Sequence, residues 1–239
     1  MAFNFQTFKT RALTALLFVV VMLVGLLWNF WSFLILFTII HFGCWYEFVK
    51  LMKKIFVEKY LGYCWLGLFY ITLPVLLMIK LRQIGMIYKD GQLIDDVGYI
   101  IPCCIIFSIW INDTMAYLVG SFIGKTPLTK ISPKKTWEGT IGGIILCVIA
   151  VGFLYPLFAE KYADMPLYIG GHWFIIAAIC AIFGTLGDLL ESKLKRMADV
   201  KDSGSFMPGH GGFLDRFDSL LVAVPAVWIY VYFFTNLNS

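Results

Sequence analysis

A polytopic, all-α membrane bundle of about seven spans, with its N-terminus in the cytoplasm, is what this sequence predicts. Its 239 residues are 60% hydrophobic and 14% charged, with a mean hydropathy of +0.83. Soluble domains carry about a quarter charged residues. Several apolar runs approach or exceed the roughly 18 residues needed to cross a bilayer. The alternating segments of about ten residues that mark a β-barrel are not visible.

The spans are expected at about 12–28, 31–49, 60–79, 97–119, 137–158, 172–190 and 216–235. Lys9 and Arg11 precede the first. No small-x-small cleavage site follows it, so it reads as a retained span. The second carries a lone histidine, His41, and the third is a plain apolar run. Asn112-Asp113-Thr114 lies within or at the end of the fourth. The fifth carries Gly139, Gly142 and Gly143, a pattern that lets helices pack closely, within the chain or in a dimer. The sixth ends on Gly184-Thr185-Leu186-Gly187-Asp188, and Asp215 and Asp218 open the seventh.

This order puts fifteen of the nineteen Lys and Arg on one side, with Lys80, Arg82, Lys89 and Lys161 on the other. The positive-inside rule then sets the N-terminus inside and the C-terminus outside. The loops 120–136 and 191–214 fall on the cytoplasmic side, where nucleoside triphosphates are found. With no repeat or linker, residues 1–239 read as a single transmembrane domain. The formal charge of +4 reflects loop cations facing an anionic membrane and anionic substrates, not nucleic acid. The six cysteines lie in apolar runs without a Cys-x-x-Cys pair, and read as packing residues.

Chemistry concentrates in residues 188–218, which hold six of the fifteen acids and five basic residues. Charge at a membrane boundary is costly unless solvated, paired or bound. On a helix over 184–199, Asp188, Ser192, Lys195 and Asp199 share one face with Glu191 beside them. Glu191, Lys193 and Asp199 read as a solvated helix end, and Asp188 as functional. The loop 200–214 contains Gly204, Gly209, Gly211 and Gly212, which allow backbone amides to approach phosphate. Lys195, Arg196, Lys201, His210 and Arg216 supply donors for phosphate oxygens. Asp215 and Asp218, at i,i+3 spacing, share a face, and with Asp188 would suit a hard divalent ion such as Mg²⁺. Helix capping accounts for Asp215 alone but not for both.

A second polar segment runs from Asn112-Asp113-Thr114 to Ser132-Pro133-Lys134-Lys135-Thr136-Trp137-Glu138-Gly139. Asp113 is functional or marks a helix end one turn early. Lys134 and Lys135 add cations to the same membrane face, and Glu138 opens the fifth span. Gly120-Ser-Phe-Ile-Gly124-Lys125-Thr126 is not a P-loop, because three residues rather than four stand between its glycines and an apolar helix precedes it. Gly209-His210-Gly211-Gly212 is not the His-x-Gly-His signature of soluble nucleotidyltransferases, and His41 and His172 read as structural.

The run Ser192-x-x-Lys195-Arg196-x-x-x-x-Lys201-Asp202-x-Gly204-x-x-x-Pro208-Gly209-His210-Gly211-Gly212-x-x-Asp215-Arg216-x-Asp218 resembles the signature of phosphatidate cytidylyltransferases, the CDP-diacylglycerol synthases. Both parts of the second segment are similar too, and the signature region spans 110–220. The resemblance implies transfer from CTP to phosphatidate, giving CDP-diacylglycerol and pyrophosphate for phospholipid synthesis. It implies Mg²⁺ on Asp188 and Asp215, with a second, monovalent cation such as K⁺. Lys195, Lys201 and Arg216 would offset charge on pyrophosphate, Ser192 would donate to a phosphate or bind the metal through water, and Asp202 and Asp218 would orient water or cations. Substrate binding would fall to Asp113, Ser132, Lys134, Lys135, Glu138, Arg196 and His210. The resemblance also implies a homodimer, and chain length points to a bacterial inner membrane. Nothing in 188–218 reads acyl chains, so CTP acting on another lipid acceptor stays open. A transporter would place charges at mid-span in repeated halves, a pattern not found here.

Overall fold

The structure is a computed structural model that describes residues 5–84, 86–89, 92–159, 171–206 and 211–237. Eight α-helices carry the fold, in the order α1 (Phe5–Leu27), α2 (Phe30–Phe56), α3 (Leu61–Cys64), α4 (Leu73–Ile84), α5 (Ile100–Ile123), α6 (Trp137–Ala159), α7 (His172–Met197) and α8 (Leu214–Leu237). Among the described residues, six stretches are long and apolar enough to cross a membrane: Phe30–Lys59, Leu61–Ile84, Ile100–Ile123, Trp137–Leu157, His172–Met197 and Leu214–Phe234. A shorter apolar stretch, Ala12–Leu27, corresponds to the first expected span. The third span is interrupted, because a π-helical turn over Leu68–Thr72 joins α3 to α4. Between α4 and α5 an antiparallel hairpin pairs β1 (Met86–Lys89) with β2 (Gln92–Asp96).

The chain divides into two compact units. The first comprises Met1–Thr72 and Leu194–Phe217, and the second Leu73–Lys193 and Asp218–Ser239. In the first unit a capping box starts α2. The Asn29 side chain accepts from the Ser32 N–H at 2.8 Å, and the Asn29 N–H donates to Ser32 Oγ at 3.1 Å. The core of this unit stacks Phe33 on Phe37 at 4.5 Å, with Met22, Leu26, Ile40 and Leu51 also buried.

The second unit is organised by α5 against α6. A Cβ added at Gly139 or Gly143 would lie 2.7 Å from the Ala116 carbonyl or the Ala116 Cβ, respectively. The glycine face of the fifth span therefore packs within the chain. The hairpin is anchored by the buried Arg82, whose guanidinium makes a two-pronged ion pair with Asp96, one prong being Nη2 to Oδ2 at 2.6 Å. His172 Nδ1 meets the Tyr230 hydroxyl at 2.6 Å, and in the first unit His41 Nε2 meets Thr72 Oγ1 at 3.0 Å. Both histidines are structural. Five of the six cysteines are buried, and all six are free thiols.

Candidate active site

The second unit contains a cleft of about 670 Å³ between the end of α5, the loop before α6 and the middle of α7. Its loop wall has a local cause. The Glu138 carboxylate, in the first turn of α6, accepts from the N–H of Lys125 at 3.2 Å, the N–H of Thr126 at 3.2 Å and Thr126 Oγ1 at 2.8 Å. The Trp137 N–H returns to the Thr126 carbonyl, and the Leu128 N–H to that of Lys135. Glu138, expected to contact substrate, is engaged here in a staple that closes the loop on itself.

That closure brings Ser132, Lys134 and Lys135 to the cleft, opposite Asn112, Asp113 and Asp188. Lys135 forms an ion pair with Asp188 Oδ2, and Ser192 Oγ donates to Asp188 Oδ1 at 3.2 Å. The i,i+4 spacing of Asp188 and Ser192 on α7 makes the second bond possible. Asn112 sits at the base of the cleft, 3% exposed. Its Nδ2 donates to Thr185 Oγ1 at 3.5 Å, and its Oδ1 is buried without a hydrogen-bond partner among the described residues. A buried acceptor left unmade costs about 1–3 kcal/mol, so this amide is a ready contact for a ligand that donates.

Next to the Lys135–Asp188 pair lies an acidic cluster. Asp188, Glu191 and Asp218 each offer an oxygen, all within 4.8 Å of one another. Glu191 and Asp218 are buried. Gly187 lets α7 approach α8 here, since a Cβ would stand 2.9 Å from Ser219 Cα and collide with the Asp218 carbonyl. Three carboxylates at this distance repel, and desolvation adds to the cost of their charge. An all-oxygen donor set suits a hard cation. The sequence reading of Glu191 as a solvated helix end is corrected, because this side chain is fully buried in the cluster. Asp199 also leaves the helical face assigned to it. Its φ is +51°, and the N–H of Val200 reaches the Lys195 carbonyl at 2.9 Å, which ends α7 in a Schellman turn.

The remaining signature residues belong to the first unit. Asp215, in the first turn of α8, is wrapped by donors. Lys195 Nζ meets its Oδ1 at 2.7 Å. Its Oδ2 accepts from the Ser203 N–H at 2.9 Å and the Gly212 N–H at 2.8 Å, and lies 2.9 Å from Ser203 Oγ. Arg196, Lys201, Asp202 and Arg216 are exposed. His210 lies outside the described residues. Sequence reasoning passed over two residues. One is Asn112, mentioned only as part of a motif. The other is Glu47, an acid in the second span, buried against Ser203 and Leu214. An ionisable residue inside a span was the signal available for Glu47.

Comparison with known proteins points the same way. The profile of the Cytidylyltransferase family matches residues 92–234. The chain is 38% identical over 196 residues to a phosphatidate cytidylyltransferase of Bacillus subtilis, covering 80% of this chain and 64% of that protein. It is 42% identical over 145 residues to one of Staphylococcus haemolyticus, covering 59% and 52%. It is 39% identical over 181 residues to phosphatidate cytidylyltransferase 4, chloroplastic, of Arabidopsis thaliana, covering 73% and 44%. The chain thus spans less than two thirds of the length of each of these relatives.

Proposed function

The chain belongs to the cytidylyltransferase family, and on that premise we propose that it is a phosphatidate cytidylyltransferase, converting CTP and phosphatidate to CDP-diacylglycerol and pyrophosphate. The observation that carries this reading is the cleft in which Lys135 pairs with Asp188 beside Lys134 and Ser132, next to the acidic cluster. It combines cations for phosphate with carboxylates for a metal.

A phosphate monoester has a second pKa of ~6, by analogy with phosphoserine, so phosphatidate arrives mostly ionised and needs no general base. One of its oxygens forms a bond to the α-phosphorus of CTP. The bond from that phosphorus to the bridging oxygen of the β-phosphate breaks, and pyrophosphate leaves with the electron pair. No proton transfer is required. Catalysis is then positioning and charge neutralisation. Lys134 and Lys135 draw phosphate into the cleft, Ser132 donates to it, and the Asn112 amide oxygen accepts from the nucleotide. Lys195, Lys201 and Arg216 keep the role that the signature gives them, which is to offset charge on pyrophosphate.

Asp188, Glu191 and Asp218 hold the cation in this reading, and Mg²⁺ fits their oxygens. A metal-ligand role for Asp215 and a second cation such as K⁺ rest on the family resemblance alone. When bound, a divalent ion supplies Lewis-acid polarisation of the α-phosphate. The lysine-rich loops set the reacting face towards the cytoplasm of a bacterial inner membrane.

The test is conversion of radiolabelled CTP to a lipid-extractable product by purified protein in detergent with phosphatidate, with and without Mg²⁺. Mg²⁺-dependent CDP-lipid is expected. A well-folded sample that makes no product from phosphatidate, but does from another lipid acceptor, would overturn the substrate assignment.

A further inference from the structure

We propose that Glu47 is a positioning residue for this reaction, holding Ser203 and the Leu214 start of α8 and, through the Ser203 hydroxyl, the carboxylate of Asp215. The inference rests on the reaction proposed above and adds a residue from α2, outside the region 92–234 that the family profile matches.

Glu47 lies on a stretch apolar enough to cross a membrane, and its side chain is 3% exposed. A carboxylate in that setting is costly unless it is engaged. Its Oε2 accepts from the Leu214 N–H at 2.8 Å and stands 2.7 Å from Ser203 Oγ. Leu214 is the first residue of α8, so its N–H is among those that a helix start leaves without an intrahelical partner. A carboxylate from α2 thereby caps α8, where negative charge is also favoured by the helix dipole. Ser203 Oγ is shared between two acids, 2.7 Å from Glu47 and 2.9 Å from Asp215. Its single hydroxyl hydrogen is donated to one of them at a time, so the hydroxyl links the two acids. With Lys195 on the far oxygen of Asp215, the line runs Glu47, Ser203, Asp215, Lys195.

Gly204 and Gly212 lie close against this carboxylate. A Cβ at Gly204 or Gly212 would collide with Glu47 Oε1. Two glycines that the sequence assigned to phosphate approach thus leave room, in this unit, for the Glu47 carboxylate. One turn earlier on the same face of α2, a Cβ at Gly43 would lie 2.5 Å from the Phe213 ring. Packing alone would be served by an apolar side chain at position 47. A carboxylate there orients a serine and a helix start that both bear on Asp215.

The experiment uses the full chain in detergent, as wild type, E47Q, S203A, the double variant and the exposed control E58Q. Turnover per folded enzyme is measured across Mg²⁺ concentrations, alongside amide hydrogen exchange of peptides covering 201–206 and 211–217. Losing a hydrogen bond to a charged group corresponds to about 10- to 100-fold in rate. E47Q is therefore expected to lower kcat by about tenfold or more, raise the Mg²⁺ concentration for half-maximal rate and quicken exchange at 211–217. E58Q should match wild type. If Glu47 acts through Ser203, the double variant should lose no more than the worse single one. Full kcat with wild-type exchange in E47Q, or losses that multiply in the double variant, would overturn the proposal. A purely structural role would reduce the yield of folded protein without moving the Mg²⁺ half-saturation. Wild-type protein that makes no CDP-lipid, while E47Q still quickens exchange, would sink the reaction and leave the clamp standing.

Discussion

Asp188 and Asp215 come from one polar stretch of sequence, yet the structure gives them opposite surroundings. Asp188 lines an open cleft, its side chain 27% exposed, and meets one lysine and one serine. Asp215 has a side chain 9% exposed, with Lys195, two groups of Ser203 and the Gly212 amide around it. The first carboxylate can trade a protein partner for a ligand at modest cost. The second is fixed by a loop that folds around it, so its charge is a standing part of the first unit's architecture. Two acids that look equivalent in a motif therefore differ in what their removal should do.

The largest effect should separate them. Asp188→Asn is expected to cut turnover about a thousandfold or more, the scale of losing a group that stabilises the transition state. Its melting temperature should stay at or above wild type, because one member of a repelling cluster becomes neutral. Asp215→Asn should lose activity and stability together, since an amide cannot accept from all the donors gathered there. Turnover and thermal unfolding measured on both variants check this. Equal stability loss in the two would erase the distinction.

Next in size are the lysine partners. Lys135→Ala should lower kcat/KM for CTP about 10- to 100-fold and leave folding nearly unchanged, because its ion pair with Asp188 is partly solvated. Lys195→Ala should destabilise the protein more, since it strips a cation from a nearly buried carboxylate. A kinetic comparison with unfolding curves reads both. If Lys195→Ala proves the milder for stability, the loop does not depend on the pair.

Much of this was legible in the sequence, for physical reasons that also mark its limits. Apolar runs of span length placed the helices, because a bilayer demands them. The motif Ser132 to Glu138 pointed to the cleft through its clustered cations, and Asp188 stood out at the end of an apolar run. Glu191 was misjudged because helical periodicity shows which residues share a face but not which face is covered. Glu47 was missed because its partners, Ser203 and Leu214, are 156 and 167 residues away in sequence. No local pattern encodes a cap supplied from another helix. Glu138 showed its helix-start position but not that its carboxylate turns back on Lys125 and Thr126. The hairpin at Met86–Asp96 was overlooked because four or five residues per strand leave almost no periodic signal.

Two smaller effects would sharpen the picture of the cleft. Asn112→Leu removes a buried acceptor that has no partner among the described residues, so its melting temperature should hold or rise. If the amide reads the nucleotide, KM for CTP should rise about tenfold, the scale of one lost hydrogen bond. Unchanged KM would reduce Asn112 to packing. The smallest change is expected at Glu138. Its three bonds to Lys125 and Thr126 shape the loop that carries Ser132, Lys134 and Lys135, without lining the cleft. Glu138→Gln keeps one acceptor oxygen and should retain most activity, whereas Glu138→Ala releases the staple. The alanine variant should raise KM for CTP a few fold, roughly, and speed protease cutting within 124–136, because loosened cations bind phosphate less well. Loss of kcat with KM unchanged in both variants would mean that Glu138 works in the chemistry itself. The open carboxylate of Asp188 would then have a second collaborator.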